Sequence, residues 1–489
     1  MKTGSYVAGK WFAPKSDRTI RNVNPANTDD VIAEFPAATR EDTLRAIDVA
    51  SEAFPAWRDT PPPERGRILW RAVDIARKRH EEIAQCLTRE EGKIIAEARG
   101  EVTKGINVLE FYAGEGFRIE GSTLPSEARD TFTCTIRRPL GVVGMITPWN
   151  FPWAIPVWKV APALVAGNTV VFKPAALTPG TAALMVEIFA EAGIPAGVLN
   201  LVIGPGSSVG QTIVDHPAVR ALSFTGSNQI GSALYVSAAQ RGAKVTCEMG
   251  GKNAVVVLRD ADLQKAATAI HGGAFGSTGQ RCTATSRVIV HPDRKAELLD
   301  LIVERAKAIK IGDGRDESVT MGPAVDSSQL DTDLEYIEVA KREGARLVLG
   351  GGRAEDAGKG YFVKPTVFDN VTPEMRIFKE EVFGPVLSVC EAKTLDEAIQ
   401  YANAVEFGLT ASVFTEDITS AMRFVERAEV GMVHVNEPTI GGEAQLPFGG
   451  TKATGVGERE MAREGLNFFT EIKTVFINYS GSAARSMIR

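Results

Sequence analysis

The sequence predicts an α/β protein with two doubly wound, mostly parallel sheets and one small additional β-sheet. Strand and helix patterns alternate between residues 141 and 240, a second alternation runs from about residue 253 to residue 429, and two strand-like segments fit neither series. With 489 residues, of which 44% are hydrophobic and 24% charged, the chain is too long for one core, so more than one domain is expected.

The first alternation contains four strand–helix pairs. It begins with a buried strand at 141–146 and a helix at 157–166 that Gly167 ends. The other strands are predicted at 169–172, 198–203 and 221–224, and the other helices at 179–192, 208–215 and 229–240. Repeats at this spacing predict parallel strands whose carboxyl ends form a ligand-binding edge.

The rest of the chain supplies the other elements. Residues 64–93 carry apolar residues near helical spacing and predict long amphipathic helices. The second alternation includes a strand at 287–290 and a helix at 294–309. Residues 131–137 and 473–477 alternate like two-faced strands, and they predict a small sheet of their own, which is suited to contacts between subunits.

Composition and charge exclude several classes of protein. A net charge of −6 over this length argues against nucleic acid or an anionic membrane as a partner, and neither a membrane-spanning run nor a secretory signal is expected. The five histidines are too few for a His-rich metal site, so no metal is expected. The scattered cysteines predict reduced thiols in the cytoplasm, and they are Cys86, Cys134, Cys247, Cys282 and Cys390.

Two glycine-rich loops each follow a predicted strand and open a helix. Gly204–Gly210 is similar to a dinucleotide-binding fingerprint but has one residue too many before its last glycine. Phe224–Gly231 has the glycine spacing of a phosphate-binding P-loop but lacks the lysine, which argues against a nucleoside triphosphate kinase. Each loop alone is compatible with a plain turn. Two such loops side by side favour a phosphate at the helix N-termini.

Three residues in polar or glycine-rich surroundings are candidates for catalysis. Cys282 lies in a Gly- and Thr-rich loop beside Arg281, where a cation and backbone amides would favour the thiolate, although an isolated loop cysteine is more often a bystander. Glu248 ends a strand before two glycines, which suits a buried general base or an ordinary capping acid. Asn150 follows another strand end, where it could stabilise an oxyanion or simply form a turn.

The combination of short motifs is more specific than any one of them. Seven segments resemble the aldehyde dehydrogenase superfamily in the family's order and over nearly the whole chain, so coincidence is negligible. The segments are Pro148–Pro152, Phe172–Ala175, Phe224–Ser227, Glu248–Lys252, Gly279–Cys282, Glu380–Pro385 and Pro447–Gly450.

The resemblance implies an NAD(P)-dependent oxidation of an aldehyde to a carboxylic acid. Cys282 would be the nucleophile that forms a thiohemiacetal and then a thioester. Asn150 and the Cys282 backbone N–H would stabilise the oxyanion, and Glu248 would activate the water that releases the acid.

The resemblance also implies the cofactor-binding residues. Lys173 would bind the adenosine ribose, Gly226 and Ser227 the pyrophosphate, and Glu381 and Phe383 the nicotinamide riboside. The full set is Ile146, Thr147, Pro148, Trp149, Lys173, Ala176, Gly206, Gly210, Phe224, Gly226, Ser227, Met249, Glu381 and Phe383.

Cofactor choice is left open by one departure from the family's pattern. Members that prefer NAD often carry a glutamate at the position of Ala176, and its absence removes repulsion toward a 2′-phosphate. Both NAD and NADP are admissible, with NADP or dual use slightly favoured.

The substrate is the least defined part of the resemblance. The family's substrate-lining positions here are Phe151, Ile155, Trp158, Arg281, Thr283 and Phe448. Trp158 and Gly276 stand where succinic semialdehyde enzymes typically carry arginines, which argues against that substrate. Segments 279–287 and 436–439 are similar to 2-oxoglutarate-semialdehyde (2,5-dioxopentanoate) dehydrogenases. A betaine-aldehyde enzyme or a broad aliphatic or aromatic aldehyde dehydrogenase is the alternative.

Two alternatives belong to other functional classes. A CoA-acylating dehydrogenase usually lacks a base at the position of Glu248, and a catalytically silent relative would have lost Cys282 or Glu248. Both residues are present, which counts against each alternative.

The resemblance further implies a division into domains and an assembly. We expect an NAD(P)-binding domain at 1–119 and 140–248, a catalytic domain at 249–460, and oligomerisation segments at 120–139 and 461–489. A cytoplasmic homodimer or homotetramer is expected.

Overall fold

The structure is a computed structural model in which residues 2–481 are described. The helices alternate with strands through most of the chain, as the sequence predicts. They are α1 (Arg40–Asp59), α2 (Pro62–Lys78), α3 (His80–Glu91), α4 (Ile95–Glu115), α5 (Ala154–Ala166), α6 (Pro179–Glu191), α7 (Gln211–Asp215), α8 (Asn228–Gln240), α9 (Leu263–Phe275), α10 (Pro292–Lys307), α11 (Ser327–Arg342), α12 (Arg376–Lys379), α13 (Leu395–Asn403), α14 (Ile418–Arg427) and α15 (Ala462–Phe468).

The strands form two large sheets, one small three-stranded sheet and short hairpins. They are β1 (Ser5–Val7), β2 (Lys10–Phe12), β3 (Thr19–Val23), β4 (Val31–Pro36), β5 (Thr123–Leu124), β6 (Thr131–Pro139), β7 (Val142–Ile146), β8 (Thr169–Lys173), β9 (Leu199–Leu201), β10 (Val219–Thr225), β11 (Lys244–Glu248), β12 (Asn253–Val257), β13 (Thr285–Val290), β14 (Arg346–Leu349), β15 (Thr366–Asp369), β16 (Val386–Glu391), β17 (Phe407–Gly408), β18 (Thr410–Phe414), β19 (Met432–Val435), β20 (Thr451–Lys452), β21 (Gly455–Val456) and β22 (Thr470–Asn478).

The first large sheet has the order β2-β1-β9-β8-β7-β10-β11-β21. Its five central strands are parallel, while β1, β2 and β21 pair antiparallel at the two edges. Helices cover both faces, so the central strands are buried along most of their length and mainly apolar. The carboxyl ends of β7, β10 and β11 therefore meet at one edge of the sheet.

The second large sheet has the order β14-β15-β16-β13-β12-β18-β19 and is parallel except for β14. Its core is separate from that of the first sheet and packs around β12, β13 and β16. The two alternating regions of the sequence thus correspond to two doubly wound sheets. The predicted fold class is confirmed. The predicted domain boundaries stay a prediction.

The two strand-like segments that fit neither large sheet pair with each other. β22 runs antiparallel to β6 from Thr470 opposite Pro139 to Asn478 opposite Thr131, and β5 adds a third strand. This sheet leaves large apolar side chains exposed, among them Phe132, Ile472 and Phe476. Residues 482–489 of the predicted oligomerisation segment lie outside the described residues.

Two elements differ locally from the prediction. α5 begins at Ala154, three positions before the predicted start, because Pro156 lies in the first turn, where a missing N–H costs no hydrogen bond. Its end is as predicted, with Gly167 in the left-handed region at φ 101°. The additional residue in the loop 204–210 is accommodated by a π-helical turn over Gly206–Gly210 that leads into α7.

Candidate active site

The three candidate catalytic residues converge from both sheets. Asn150 lies just beyond β7, and Glu248 is the last residue of β11. Cys282 comes from the second sheet, in the loop that joins α9 to β13. Asn150 and Glu248 are buried and Cys282 is half-buried. The site is therefore a cleft between the carboxyl ends of the first sheet and the loop before β13.

The loop that carries Cys282 has an unusual backbone held by specific contacts. Ser277 and Thr278 are non-glycine residues in the left-handed region, at φ 48° and 56°. Glu97 accepts the Ser277 backbone N–H at 2.7 Å, and the Thr278 hydroxyl donates to the Gly322 carbonyl at 3.0 Å. These contacts compensate for backbone strain and orient the turn that leads to Cys282.

Close backbone approaches explain why the family-like motifs are rich in glycine. A Cβ at Gly279 would collide with the carbonyl of Gly384, so the Gly279–Cys282 and Glu380–Pro385 segments touch through their main chains. A Cβ at Gly251 would lie 2.8 Å from the Cys282 carbonyl oxygen. The same oxygen accepts the Asn253 side-chain amide at 2.8 Å, which fixes the peptide after the nucleophile.

Asn150 is tied to the loop that carries Cys282 and to a buried charge pair. Its side-chain amide donates to the Gln280 carbonyl at 3.0 Å. Its own backbone carbonyl accepts the Lys93 ammonium at 2.6 Å, and Lys93 pairs with Glu101 at 2.6 Å. Because both charged side chains are almost fully buried, this pair holds the Asn150 peptide with little freedom.

The thiol of Cys282 is not activated by its sequence neighbour. Burial raises the pKa of Cys282 to about 12, and the carboxylates of Glu381 and Glu248 raise it further, while Lys104 lowers it. The Arg281 guanidinium instead contacts Glu97 at 2.9 Å and the Ser277 hydroxyl at 3.0 Å. The expectation that the adjacent arginine favours the thiolate is therefore wrong, because an acid neutralises that arginine.

Glu248 has the environment of a buried base. Burial raises the pKa of Glu248 well above its usual range, and nearby Glu460 adds to this, whereas Lys159 and Arg459 lower it. One carboxylate oxygen, Oε2, has no hydrogen-bond partner among the described residues. A Cβ at Gly449 would collide with the other oxygen, which explains the glycine in the Pro447–Gly450 segment. Glu248 therefore has a free lone pair available to accept a proton from water.

A buried polar network lies behind Glu248. Lys159 forms an ion pair with Glu460 and donates to the Ser223 hydroxyl at 2.9 Å. The Trp158 indole N–H donates to the second Glu460 oxygen at 2.8 Å. Lys159 and Glu460 are nearly fully buried, so their charges are compensated by each other and by these hydrogen bonds.

The predicted adenosine side of the cofactor site lies around Lys173, the last residue of β8. Burial lowers the pKa of Lys173 to about 8, and its ammonium donates to the Pro174 carbonyl at 2.8 Å. A Cβ at Gly210 would lie 3.6 Å from Lys173 Cδ, so this glycine of the π-helical turn faces the lysine. Gly206 has open space around it and Ala176 is exposed, which leaves room for a ribose and a phosphate.

The predicted nicotinamide side also has the right groups. Trp149 and Phe383 meet edge to face, with ring centroids 5.4 Å apart. Glu381 accepts the Gly251 backbone N–H at 2.8 Å, and burial raises the pKa of Glu381 to about 7. The hydroxyl of Thr147 is buried without a hydrogen-bond partner among the described residues, a donor that a bound cofactor would satisfy. The residues present therefore fit NAD or NADP.

The remaining predicted cofactor residues occupy two layers of the same edge. Gly226 and Ser227 lie at the turn between β10 and α8, with Ser227 exposed at the start of the helix. Phe224 and Met249 lie beneath this turn in the apolar core, as does partly buried Ile146. The structure thus brings the predicted cofactor residues together. Some of these residues lie at the surface, and others pack in the core beneath them. Pro148 is partly buried beside Trp149 in the chain.

The predicted substrate residues line the other side of the cleft. Trp158 and Phe448 pack with ring centroids 5.4 Å apart. Phe151 lies under two cations, with the Lys93 ammonium 4.0 Å and the Arg281 guanidinium carbon 5.9 Å from its ring centroid. Thr283 is buried and its carbonyl accepts the Thr439 hydroxyl at 2.8 Å. Ile155 is buried in the core of the first sheet, so it supports the cleft.

Several charged residues that contact this site are not among the candidates predicted from the sequence. Lys159 stands alone as a charge in α5, all of whose residues are buried, and such a charge signals a buried partner. Lys93, Glu101, Lys104 and Glu460 lie in ordinary amphipathic or loop contexts, where no local pattern distinguishes them from surface charges.

Neither a metal site nor a membrane-spanning helix is found among the described residues. Within residues 2–481, no group of three or more His, Cys, Asp or Glu side chains is placed to hold a metal ion. No helix in the described part of the chain has the length and apolar character needed to cross a membrane.

Comparison with known proteins gives matches along nearly the whole chain. The Aldehyde dehydrogenase family profile matches residues 11–475. The chain is 49% identical over 476 residues to an alpha-ketoglutaric semialdehyde dehydrogenase of Bacillus subtilis, with 97% of each chain covered. It is 47% identical to a 2,5-dioxopentanoate dehydrogenase of Saccharolobus solfataricus, with 97% of this chain and 99% of the relative covered.

Solved structures give the same result. An NAD+ complex of betaine aldehyde dehydrogenase from Staphylococcus aureus superposes with a TM-score of 0.96 at 34% identity, covering 99% of this chain and 96% of the other. An NADP-dependent enzyme of E. coli superposes with a TM-score of 0.95 at 36% identity, covering 98% of each chain. The fold class and the type of reaction expected from the motifs are thereby confirmed. The chain belongs to the aldehyde dehydrogenase family and is an oxidoreductase that converts an aldehyde to a carboxylic acid with NAD or NADP.

Proposed function

We propose that this enzyme oxidises 2-oxoglutarate semialdehyde to 2-oxoglutarate through a thioester on Cys282. The observation that carries the chemistry is the convergence of Cys282, Asn150 and Glu248 in one cleft, each supported by its own contacts. The names of the two relatives at 49% and 47% identity support the substrate.

The first step depends on the residues around the nucleophile. The Cys282 sulfur forms a bond to the aldehyde carbon, and the aldehyde oxygen becomes an oxyanion. The Asn150 side-chain amide and the Cys282 backbone N–H are the donors that would stabilise this charge. The Lys93–Glu101 pair holds the Asn150 peptide, so its donor needs little reorganisation. When bound, the nicotinamide ring supplies the hydride acceptor that turns the adduct into a thioester.

Glu248 is suited to the release step. It takes a proton from water, the resulting oxygen nucleophile attacks the thioester carbon, and the carbon–sulfur bond breaks to leave the acid and Cys282. Because the pKa of Glu248 is raised by burial and by Glu460, its carboxylate is a stronger base than an exposed one. Oε2 of Glu248 has no hydrogen-bond partner among the described residues, so it is available to accept a hydrogen bond from this water.

The cofactor-side residues support binding of the whole dinucleotide. The ammonium of Lys173 suits the ribose hydroxyls, the turn at Gly226 and Ser227 suits the pyrophosphate, and Glu381 suits the second ribose. Ala176 is exposed and carries no carboxylate that would repel a 2′-phosphate. This supports the use of NADP as well as NAD.

The substrate proposal is tested by comparing aldehydes under identical conditions. We expect 2-oxoglutarate semialdehyde to give the highest kcat/KM among a panel that includes succinic semialdehyde, betaine aldehyde, pentanal and benzaldehyde, each with NAD and with NADP. A higher kcat/KM for any other member would overturn this substrate. Turnover that requires CoA would overturn release by water. Free 2-oxoglutarate as product supports it.

The proposal includes a cytoplasmic homodimer or homotetramer. Free cysteines suit a reducing compartment. The exposed apolar side chains on the β5–β6–β22 sheet suit burial against another copy of the chain. Light scattering tests the assembly, and replacing Phe132 and Phe476 by serine should shift it toward monomer. An unchanged mass would remove this sheet from the interface.

A further inference from the structure

A lysine that the proposed chemistry does not use lies in the substrate side of the cleft. Lys104 is in the middle of α4, and its ammonium lies 5.3 Å from the Trp158 ring centroid and 6.0 Å from that of Phe448. Cys282 packs against the apolar cluster that includes Trp158 and Phe448, so the Lys104 ammonium and Cys282 belong to the same cleft.

Among the described residues, no acid pairs with the ammonium of Lys104. No hydrogen bond or ion pair joins it to any residue of the described chain. Glu101, one turn earlier on α4, is occupied by the Lys93 ammonium at 2.6 Å and by the backbone N–H groups of Trp153 and Ala154 at 2.9 and 3.1 Å. Both oxygens of its carboxylate therefore already accept hydrogen bonds from other donors.

The other cations that contact the predicted substrate residues, Lys93 and Arg281, are already neutralised by acids. Arg281 forms an ion pair with Glu97 at 2.9 Å. Burial lowers the pKa of Lys104, and Arg281 lowers it further, whereas Cys282 and Glu101 raise it. A partly buried ammonium without a hydrogen-bonding partner is unfavourable, and a ligand that brings a negative charge removes that cost.

The surroundings leave the three donors of the ammonium available. Aromatic ring faces stabilise a cation through their quadrupole but accept none of its hydrogen bonds strongly. On another side lies Gly442, where a Cβ would be 3.4 Å from Lys104 Nζ. The glycine therefore leaves space next to the ammonium that a side chain would fill.

We propose that Lys104 is the specificity-determining residue of this enzyme and binds the carboxylate of an aldehyde acid whose aldehyde end reaches Cys282. The inference rests on the proposed function, because 2-oxoglutarate semialdehyde carries such a carboxylate. Because the Lys104 ammonium lies near the Trp158 and Phe448 rings and repels a second positive charge, we expect a cationic aldehyde to bind this cleft poorly.

A ratio of specificities isolates the role of Lys104. We compare kcat/KM for 2-oxoglutarate semialdehyde with kcat/KM for pentanal, which has the same number of carbons and no charge. In Lys104→Met the ratio should fall about tenfold to a hundredfold, mainly through KM for the acid, as expected for loss of one charge-assisted contact. Binding of 2-oxoglutarate as a competitive inhibitor should weaken in parallel.

Controls separate charge from packing. Lys78→Met removes an exposed lysine at the end of α2 and should leave the ratio unchanged. Gly442→Asp keeps Lys104 but places a carboxylate beside it, and the ratio should fall as in Lys104→Met. Should Lys104→Met fail to fold, as judged by its thermal midpoint and cofactor titration, Gly442→Asp alone decides the proposal.

The outcomes distinguish this inference from the proposed function. If the wild-type enzyme prefers another carboxylated aldehyde, the proposed substrate is wrong, whereas a loss of preference for acids in the two variants still supports Lys104. If the wild type prefers 2-oxoglutarate semialdehyde and both variants keep the wild-type ratio and inhibitor affinity, Lys104 only packs against Trp158 and Phe448, and the inference is overturned.

Discussion

The side-chain amide of Asn150 donates a hydrogen bond to the backbone carbonyl of Gln280, with a nitrogen–oxygen distance of 3.0 Å. This contact joins the end of β7 to the loop two residues before Cys282. It thereby couples the proposed oxyanion donor of one sheet to the loop of the other that carries the proposed nucleophile. Because Lys93 holds the Asn150 carbonyl at 2.6 Å, the donor is fixed from both its side chain and its backbone.

Replacing Lys93 by methionine should therefore affect both stability and catalysis. The change leaves Glu101 buried without its cation, which should destabilise the fold by about 3–5 kcal/mol. The looser Asn150 should lower kcat by about tenfold to a hundredfold, less than loss of an oxyanion donor itself. Urea unfolding and steady-state kinetics measure the two effects, with Lys78→Met as control. Wild-type values of both would contradict the role given to Lys93.

Cys282→Ser should abolish aldehyde oxidation while cofactor binding remains. A serine hydroxyl is a far weaker nucleophile than a thiolate, so kcat should fall by at least about a thousandfold. Aldehyde-dependent NADH formation measures the loss, and fluorescence titration measures binding. Cys134→Ser, in β6, is the matched control and should retain activity. Substantial turnover by the Cys282 variant would refute the thioester route.

Glu248→Gln should convert linear turnover into a burst of reduced cofactor followed by a slow phase. The amide cannot accept the proton of water, so the acyl-enzyme accumulates. In the wild type, deacylation needs ionised Glu248. Because the pKa of this group is raised, the rate should increase with pH above the range of an ordinary carboxyl. Rapid-mixing kinetics measure the burst and the slow phase that follows it. A Glu248→Gln enzyme that acylates normally but shows no burst would exclude Glu248 as the base.

Alkylation of Cys282 in the cofactor-free enzyme should be slow and should increase with pH. With a pKa of about 12, its thiolate fraction rises about tenfold per pH unit through neutral and mildly alkaline pH. Glu381→Gln removes a negative charge that raises this pKa, so iodoacetamide labelling should be faster. Glu380→Gln, whose carboxylate faces Arg376 and Tyr336, is the control. Peptide mass spectrometry assigns the label to Cys282, and equal rates in all three proteins would contradict this electrostatic account.

Ala176→Glu should select against NADP. A carboxylate at this exposed position would repel a 2′-phosphate and hydrogen-bond a free 2′-hydroxyl. We expect the ratio of kcat/KM for NADP to that for NAD to fall about tenfold to a hundredfold, as two neighbouring negative charges near the surface imply. Ala176→Gln has the same size without the charge and should change the ratio much less. Equal ratios in the two variants would place Ala176 away from the 2′ position.

Much of the fold could be predicted from local patterns. The strand at 142–146 and the helix that Gly167 ends are predictable from the sequence. A buried strand, an apolar helix and a left-handed glycine each have a recognisable local sequence pattern. The predicted start of α5 lies too late in the sequence because Pro156, a residue that would break the interior of a helix, occupies its first turn. Residues 131–137 and 473–477 were read as strands, and their pairing as β6 and β22 is confirmed.

The sequence by itself determined the family, because seven short motifs in a fixed order identify Cys282, Glu248 and Asn150 together where each alone is ambiguous. Only the tertiary structure decided the electrostatics of the site. Lys159 and Glu460 are 301 positions apart and Arg281 and Glu97 are 184 apart, so no local pattern reveals that they meet. Glu101, one turn before Lys104, likewise accepts the backbone N–H groups of Trp153 and Ala154 from 52 and 53 positions away, because a buried side chain's environment is set by whichever distant segments pack around it.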